Sequence, residues 1–184
     1  MEENDSEFLR ALHEEKIRTQ NERADFVTRK LAFITVLFGI STVDLGINVA
    51  DVCWFLYFVP LVAISYDLYI MSADSRIKRI GIFLGRDPLS KAGKAEKEWE
   101  MFCTYSRDDL APSANMFFSA IVTAAAAVFI HSQQIWLQSY ARLWFALWLV
   151  LSLAVIVGLW MRHRLQMRCL GKYKPFMRET FAGR

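Results

Sequence analysis

Charge is missing from long stretches of this chain. No Asp, Glu, Lys or Arg lies between Asp109 and Arg142, a gap of 32 residues, or between Arg142 and Arg162, a gap of 19. Overall composition conceals this, because 54% hydrophobic and 22% charged residues are near a soluble average. Uncharged runs of that length exclude a soluble globule and a disordered chain. They read as bilayer-spanning helices. Cysteine is also scarce. Cys53, Cys103 and Cys169 are odd in number and form no C-x-x-C pair, which excludes a disulfide-stapled secreted domain and gives no thiol metal or redox site. Catalytic signatures are missing too: there is no GxSxG, HExxH, P-loop or GxGxxG string. His13, His131 and His163 fall on different segments, so no enzyme, cofactor or metal site is expected.

A bilayer core needs about 20 helical residues. Four segments supply them: 31–50, interrupted only by Asp44; 52–71, interrupted only by Asp67; 115–137; and 143–161. None alternates polar and apolar residues as a barrel strand would. The fold class expected is therefore an all-α membrane protein with four transmembrane helices, an N-terminal cytoplasmic helix over 1–30 and a helical cytoplasmic loop over 72–114. Pro60 is expected to kink the second span.

Basic residues orient the spans. Of the 22 Lys and Arg, only Arg142 lies in a link expected outside; the others fall in 1–30, 72–114 and the tail 162–184. Positive charge stays on the cytoplasmic side, which puts both termini inside. Trp54, Trp136, Tyr140 and Trp144 mark the outer interface, and Tyr69 and Trp160 the inner one. The acidic opening Glu2, Glu3, Asp5 is not that of a cleavable signal peptide.

Asn4 to Glu7 has the spacing of a helix start, and no Gly or Pro follows before Lys30. Glu14, Arg18 and Glu22, and Asp25 with Arg29, are spaced for i,i+4 pairing. A helical stalk runs from about Ser6 into the first span, either as a solvated arm or packed against stalks of neighbouring subunits. In the 72–114 loop, residues 75–84 suit a helix at the headgroup boundary, ended by Gly85 and Pro88. A second helix is expected over 94–105, with Trp99 and Phe102 on one side, and Pro112 suits the start of the third span. The tail has seven bases and one acid, Glu179, and should attract anionic lipid headgroups rather than nucleic acid.

Ionisable groups inside lipid are functional candidates. Asp44 and Asp67 qualify, and Asp51 lies seven residues after Asp44 on the same helical face. Repeated around a ring of subunits they would select cations along an ion path. The alternative is structural: Asp44 at a helix end, and Asp67 paired with Arg76, Lys78, Arg29 or Lys30. Helix-packing candidates are Thr35 and Gly39 in the first span, and Ser119, Thr123 and Ala127, following Asn115 at four-residue spacing, in the third. His131 reads as a surface residue. Ile77, Trp99 and Phe102 are the candidates for contact with a cytoplasmic protein partner.

The string Arg23-Ala24-Asp25-Phe26-Val27-Thr28-Arg29-Lys30-Leu31-Ala32-Phe33 resembles small bacterial inner-membrane proteins of unassigned function. So do Pro60-Leu61-Val62-Ala63-Ile64-Ser65-Tyr66-Asp67-Leu68-Tyr69-Ile70 and Arg76-Ile77-Lys78-Arg79-Ile80-Gly81. The layout is similar to four-span membrane effectors of prokaryotic antiviral systems. That resemblance implies a bacterial inner-membrane location and a ring-shaped homo-oligomer that disturbs the membrane when triggered. Two functions are expected from these readings. The first is a homo-oligomeric, pore-forming or membrane-perturbing effector, in antiviral defence by resemblance. The second is a membrane-anchored sensor or scaffold that recruits a cytoplasmic partner through the 72–114 loop and the N-terminal helix. A small transporter ranks behind both, since no midplane polar site is evident.

Overall fold

The computed structural model describes residues 2–42, 53–87, 90, 92–105, 110–132 and 139–171. Among them are five α-helices, one 3-10 turn and no strand. Helix α1 spans Glu2–Thr42. The 3-10 turn, Cys53–Phe58, leads into α2, Val59–Arg86. Helix α3 is Lys94–Tyr105, α4 is Leu110–Ser132 and α5 is Ser139–Gly171.

Helix α1 is continuous, as the run without Gly or Pro requires. Arg10 pairs with Glu14 at 2.9 Å and Arg18 with Glu22 at 3.1 Å along its exposed side. It is not a free arm, because one face packs against α2 over its length. Phe8 meets Phe83 edge-on, Phe26 stacks on Tyr69, and Phe33 lies against Tyr66.

Two expectations about α2 are corrected. Pro60 does not kink the helix. It sits in the first turn, where its missing N–H has no acceptor to lose. Residues 75–84 do not form a separate surface helix but continue the span, making one rod of about 42 Å at 1.5 Å per residue. Gly85 lies inside its last turn. The end comes at Asp87, whose backbone N–H donates to Phe83 O at 3.0 Å, while the Ser90 hydroxyl approaches Leu84 O at 3.2 Å and Asp87 O at 2.8 Å. Helix α3 has the bounds the sequence suggests. Pro112 falls in the first turn of α4, which starts before residue 115.

Three helical stretches are long and apolar enough to cross a membrane: Trp54–Arg86, Pro112–Ser132 and Arg142–Leu170. Their outward faces are apolar. Trp54 is 62% exposed, Ile121 64%, Val128 70% and Trp144 71%. Side chains of that kind in such numbers belong against lipid or another apolar surface. The apolar part of α1 is described to Thr42; residues 43–50, the rest of the expected first span, lie outside the described residues.

The core between the helices gathers Ile34 of α1, Leu56 of the turn, Val59 and Ala63 of α2, and Val122, Ala126 and Ile130 of α4. Phe145 and Trp148 of α5 cover it, and the Trp148 indole N–H donates to Tyr57 O at 3.2 Å. A smaller cluster, Ile80, Leu84 and Ala92 with Leu9 and Leu12, holds the start of α1 to the end of α2.

Candidate functional site

The α1–α2 seam repeats every seven residues, the spacing that keeps one face of a helix turned toward its partner. On α1 the repeat brings three bases to the seam: Lys16, Arg23 and Lys30. On α2, running the opposite way, it brings Asp67, Asp74 and Gly81. Lys30 pairs with Asp67 at 2.7 Å, and Arg23 with Asp74 at 2.6 Å. The third base pairs with Glu100 of α3, which enters where α2 has only glycine. A Cβ on Gly81 would stand 2.8 Å from Glu100 Oε2. Three ion pairs thus form a ladder spanning about 21 Å along the helix axes, from fourteen residues at 1.5 Å each.

The innermost rung is the most enclosed. Lys30 is 1% exposed and Asp67 4%. The Lys30 ammonium donates to Asp67 Oδ1 at 2.7 Å, Ser119 Oγ at 2.6 Å and Asn115 Oδ1 at 3.0 Å. Asp67 Oδ1 also accepts from Asn115 Nδ2 at 2.7 Å, and Oδ2 accepts from the Ser119 hydroxyl at 2.6 Å. All three ammonium protons therefore have acceptors, and the Phe118 ring lies 5.3 Å away on another side. A buried charge persists only when so partnered. The chemistry available here is that of a clamp: α1, α2 and α4 meet at one neutralised pair.

The second rung ties in α5. The His163 ring, 4% exposed, has Nε2 at 3.8 Å from Asp74 Oδ2. Lys78 donates to Met167 O at 2.7 Å, a further tie between α2 and α5.

The third rung docks α3 by its charged face. His13 Nε2 lies 2.6 Å from Glu96 Oε1, and Lys16 reaches Glu100, which is 6% exposed. Gly85 permits the approach, since a Cβ there would lie 3.2 Å from Glu100 Cβ. The open side of α3 carries two large aromatics beside Lys94 and Glu98. Trp99 is 62% exposed and Phe102 58%, and the two rings stack with centroids 5.8 Å apart.

The sequence candidates fall unevenly on this frame. Asp67 is in the clamp, with Lys30 as its partner among the four bases considered. Asp44 and Asp51 lie outside the described residues. Ser119 is buried and bonded into the clamp; Thr123 and Ala127 are buried on the same face of α4. Thr35 and Gly39 do not pack as expected within the chain. Thr35 is exposed, and nothing lies within 4 Å of where a Gly39 Cβ would stand, because α1 turns its 30–34–41 face inward instead. Ile77 is half-buried in α2, while Trp99 and Phe102 are open. His131 is exposed.

The sequence reading did not find the Arg23–Asp74 and Lys16–Glu100 pairs or the role of Gly81. The signal was the seven-residue spacing of 16, 23 and 30 against 67, 74 and 81. Among the described residues no three His, Cys, Asp or Glu side chains are placed to hold a metal ion. Comparison of the chain with family models, with curated proteins and with solved structures finds no match.

Proposed function

We propose that this chain is a membrane-anchored scaffold or sensor that recruits a cytoplasmic protein through α3. The observation that carries this reading is the exposed, stacked aromatic pair on α3, a helix held to the protein by its carboxylates. Helices on a protein surface ordinarily bury the apolar face and leave charge in water. Here Glu96 and Glu100 face inward to His13 and Lys16, and Trp99 and Phe102 face outward. Stacked, exposed aromatics are typical anchors of protein interfaces. Glu100 meets the seam about 21 Å along α2 from Asp67, at 1.5 Å per residue. On this reading α3 lies on the cytoplasmic side of the span 52–71, where a soluble partner can reach it. The reading includes four spans, the first being 31–50, with both termini and α3 on the cytoplasmic side of a bacterial inner membrane. The protein acts by binding rather than by catalysis.

The test is a photo-reactive amino acid at position 99 of the full-length protein in cells. A single cytoplasmic protein should be captured, and Phe102→Ala should abolish capture without lowering the melting temperature. Capture of lipid alone, or no adduct in a correctly inserted protein, would defeat the proposal.

A pore-forming homo-oligomer, in antiviral defence by resemblance, is the second reading, and α5 favours it. Leu143, Trp144, Leu147, Val150 and Leu151 of that helix are all more than half exposed, a surface suited to contact with further copies. In this reading Asp44 and Asp51 set ion selectivity, because Lys30 neutralises Asp67. Purified protein should then make liposomes permeable to cations, and Asp44→Asn should alter the flux.

A further inference from the structure

A cleft of about 390 Å³ opens between α2 and α5 on the side away from α3. Leu68, Met71 and Leu159 line one end. Arg76 and Arg79 of α2 line the other, and Arg162 of α5 lies between, beside His163. No carboxylate lines the cleft among the described residues. Asp74 is engaged by Arg23 and lies 3.8 Å from His163, and Glu22 lies 3.8 Å from Arg76. Arg79 and Arg162 make no ion pair among the described residues and stand exposed on facing helices. The wall between them is firm, because Lys78 bonds α2 to Met167 O of α5.

We propose that this cleft binds the phosphate of an anionic phospholipid. Guanidinium groups contributed by two helices to one cleft suit phosphate oxygens, which they bond through paired N–H donors. With spans over 52–71 and 143–161, and the basic residues on the cytoplasmic side, Arg76, Arg79 and Arg162 follow the inner ends of both spans, where headgroups lie. The cleft follows α2 from Leu68 to Arg79, about 16 Å at 1.5 Å per residue. Its basic end takes the phosphate, and its apolar end takes glycerol and the upper acyl chain. A free phosphate would fill the first and leave the second bare. Its described lining residues belong to α2 and α5 and none to α3.

The full-length protein in detergent, titrated with lipid and read by native mass spectrometry, tests this. Phosphatidylglycerol should be retained and phosphatidylcholine should not. Arg79→Gln with Arg162→Gln should weaken phosphatidylglycerol binding about 30-fold, the effect of two surface bases. The Lys replacements at both positions, which keep the charge but lose the paired donors, should weaken it less than the Gln replacements, and Lys172→Gln with Lys174→Gln should leave it unchanged. Wild-type affinity in the folded Gln variant, or loss only in the tail variant, would overturn the site. Displacement of the lipid by equimolar inorganic phosphate would overturn the lipid as its occupant.

Discussion

Glu100 occupies the place that the seven-residue repeat assigns to residue 81. Lys16 is the third base of the ladder, and the α2 residue opposite it is glycine. The carboxylate that meets Lys16 arrives instead from α3. A glycine in a helix interior weakens that helix by about 0.5–1 kcal/mol relative to alanine. Here its bare backbone admits a side chain from another helix. The ladder thereby does more than zip α1 to α2: its last rung fixes α3 and so fixes the direction in which Trp99 and Phe102 point.

Gly85→Leu should loosen α3 without unfolding the spans. Its side chain would begin 3.2 Å from Glu100 Cβ and near the Met101 backbone, which cannot swing aside as a carboxylate can. Overpacking of this kind costs about 1–3 kcal/mol. Hydrogen exchange of amides 94–105 should quicken by about 5- to 150-fold, as that range implies, while amides of α4 keep their protection. Unaltered exchange in α3 would mean that Gly85 is no part of the docking.

The clamp should behave as a coupled unit. Lys30→Met leaves Asp67 buried and unpaired, at a cost of about 3–5 kcal/mol. Asp67→Leu strands the ammonium in the same way. The double variant removes both charges, and the Ser119 hydroxyl can still donate to Asn115 O at 3.2 Å. Its melting temperature in detergent should exceed that of either single variant. Additive losses would show that the two residues are not paired.

Much of the fold was legible because the signals are local. An uncharged run needs no tertiary knowledge, and neither does a helix bounded as α3 is. The ladder was hidden for a different reason. Spacing of seven along 16, 23 and 30 means little until α1 and α2 are laid antiparallel in one register, and Asp67 alone offers four bases to choose from. Glu100 was less visible still, since its role depends on the chain turning back after Arg86. Trp99 and Phe102 could be placed on one side of α3. That this side faces out follows only from the charged side being taken by His13 and Lys16. Small residues at four-residue spacing, as at Thr35 and Gly39, mark a face without saying whether this chain or another covers it.

Two buried hydroxyls one turn apart on α4 should differ in worth. Ser119 donates to Asp67 Oδ2 and accepts from Lys30, so Ser119→Ala leaves charged groups short of a partner, costing about 1–3 kcal/mol. Thr123 donates to Ser119 O at 2.8 Å, within its own helix. Thr123→Val keeps its shape and should cost less, about 0.5–1.5 kcal/mol for a single hydrogen bond. Thermal melts of both variants in detergent give the order. If Thr123→Val is the worse, the clamp does not draw on Ser119 as described.

The native cysteines test the sidedness on which the scaffold reading depends. Cys103, in α3, and Cys169, near the end of α5, are both exposed thiols. Both lie in segments that the bias of Lys and Arg places in the cytoplasm. In a Cys53→Ser background, a membrane-impermeant maleimide should leave the protein unlabelled in intact cells and label it in inverted vesicles. Labelling at both sites after detergent addition confirms that neither thiol is sterically closed. Reaction of Cys103 from outside intact cells would put α3 on the wrong side for a cytoplasmic partner. Opposite behaviour of Cys103 and Cys169 would require an odd number of crossings between them, which α4 and α5 together do not provide.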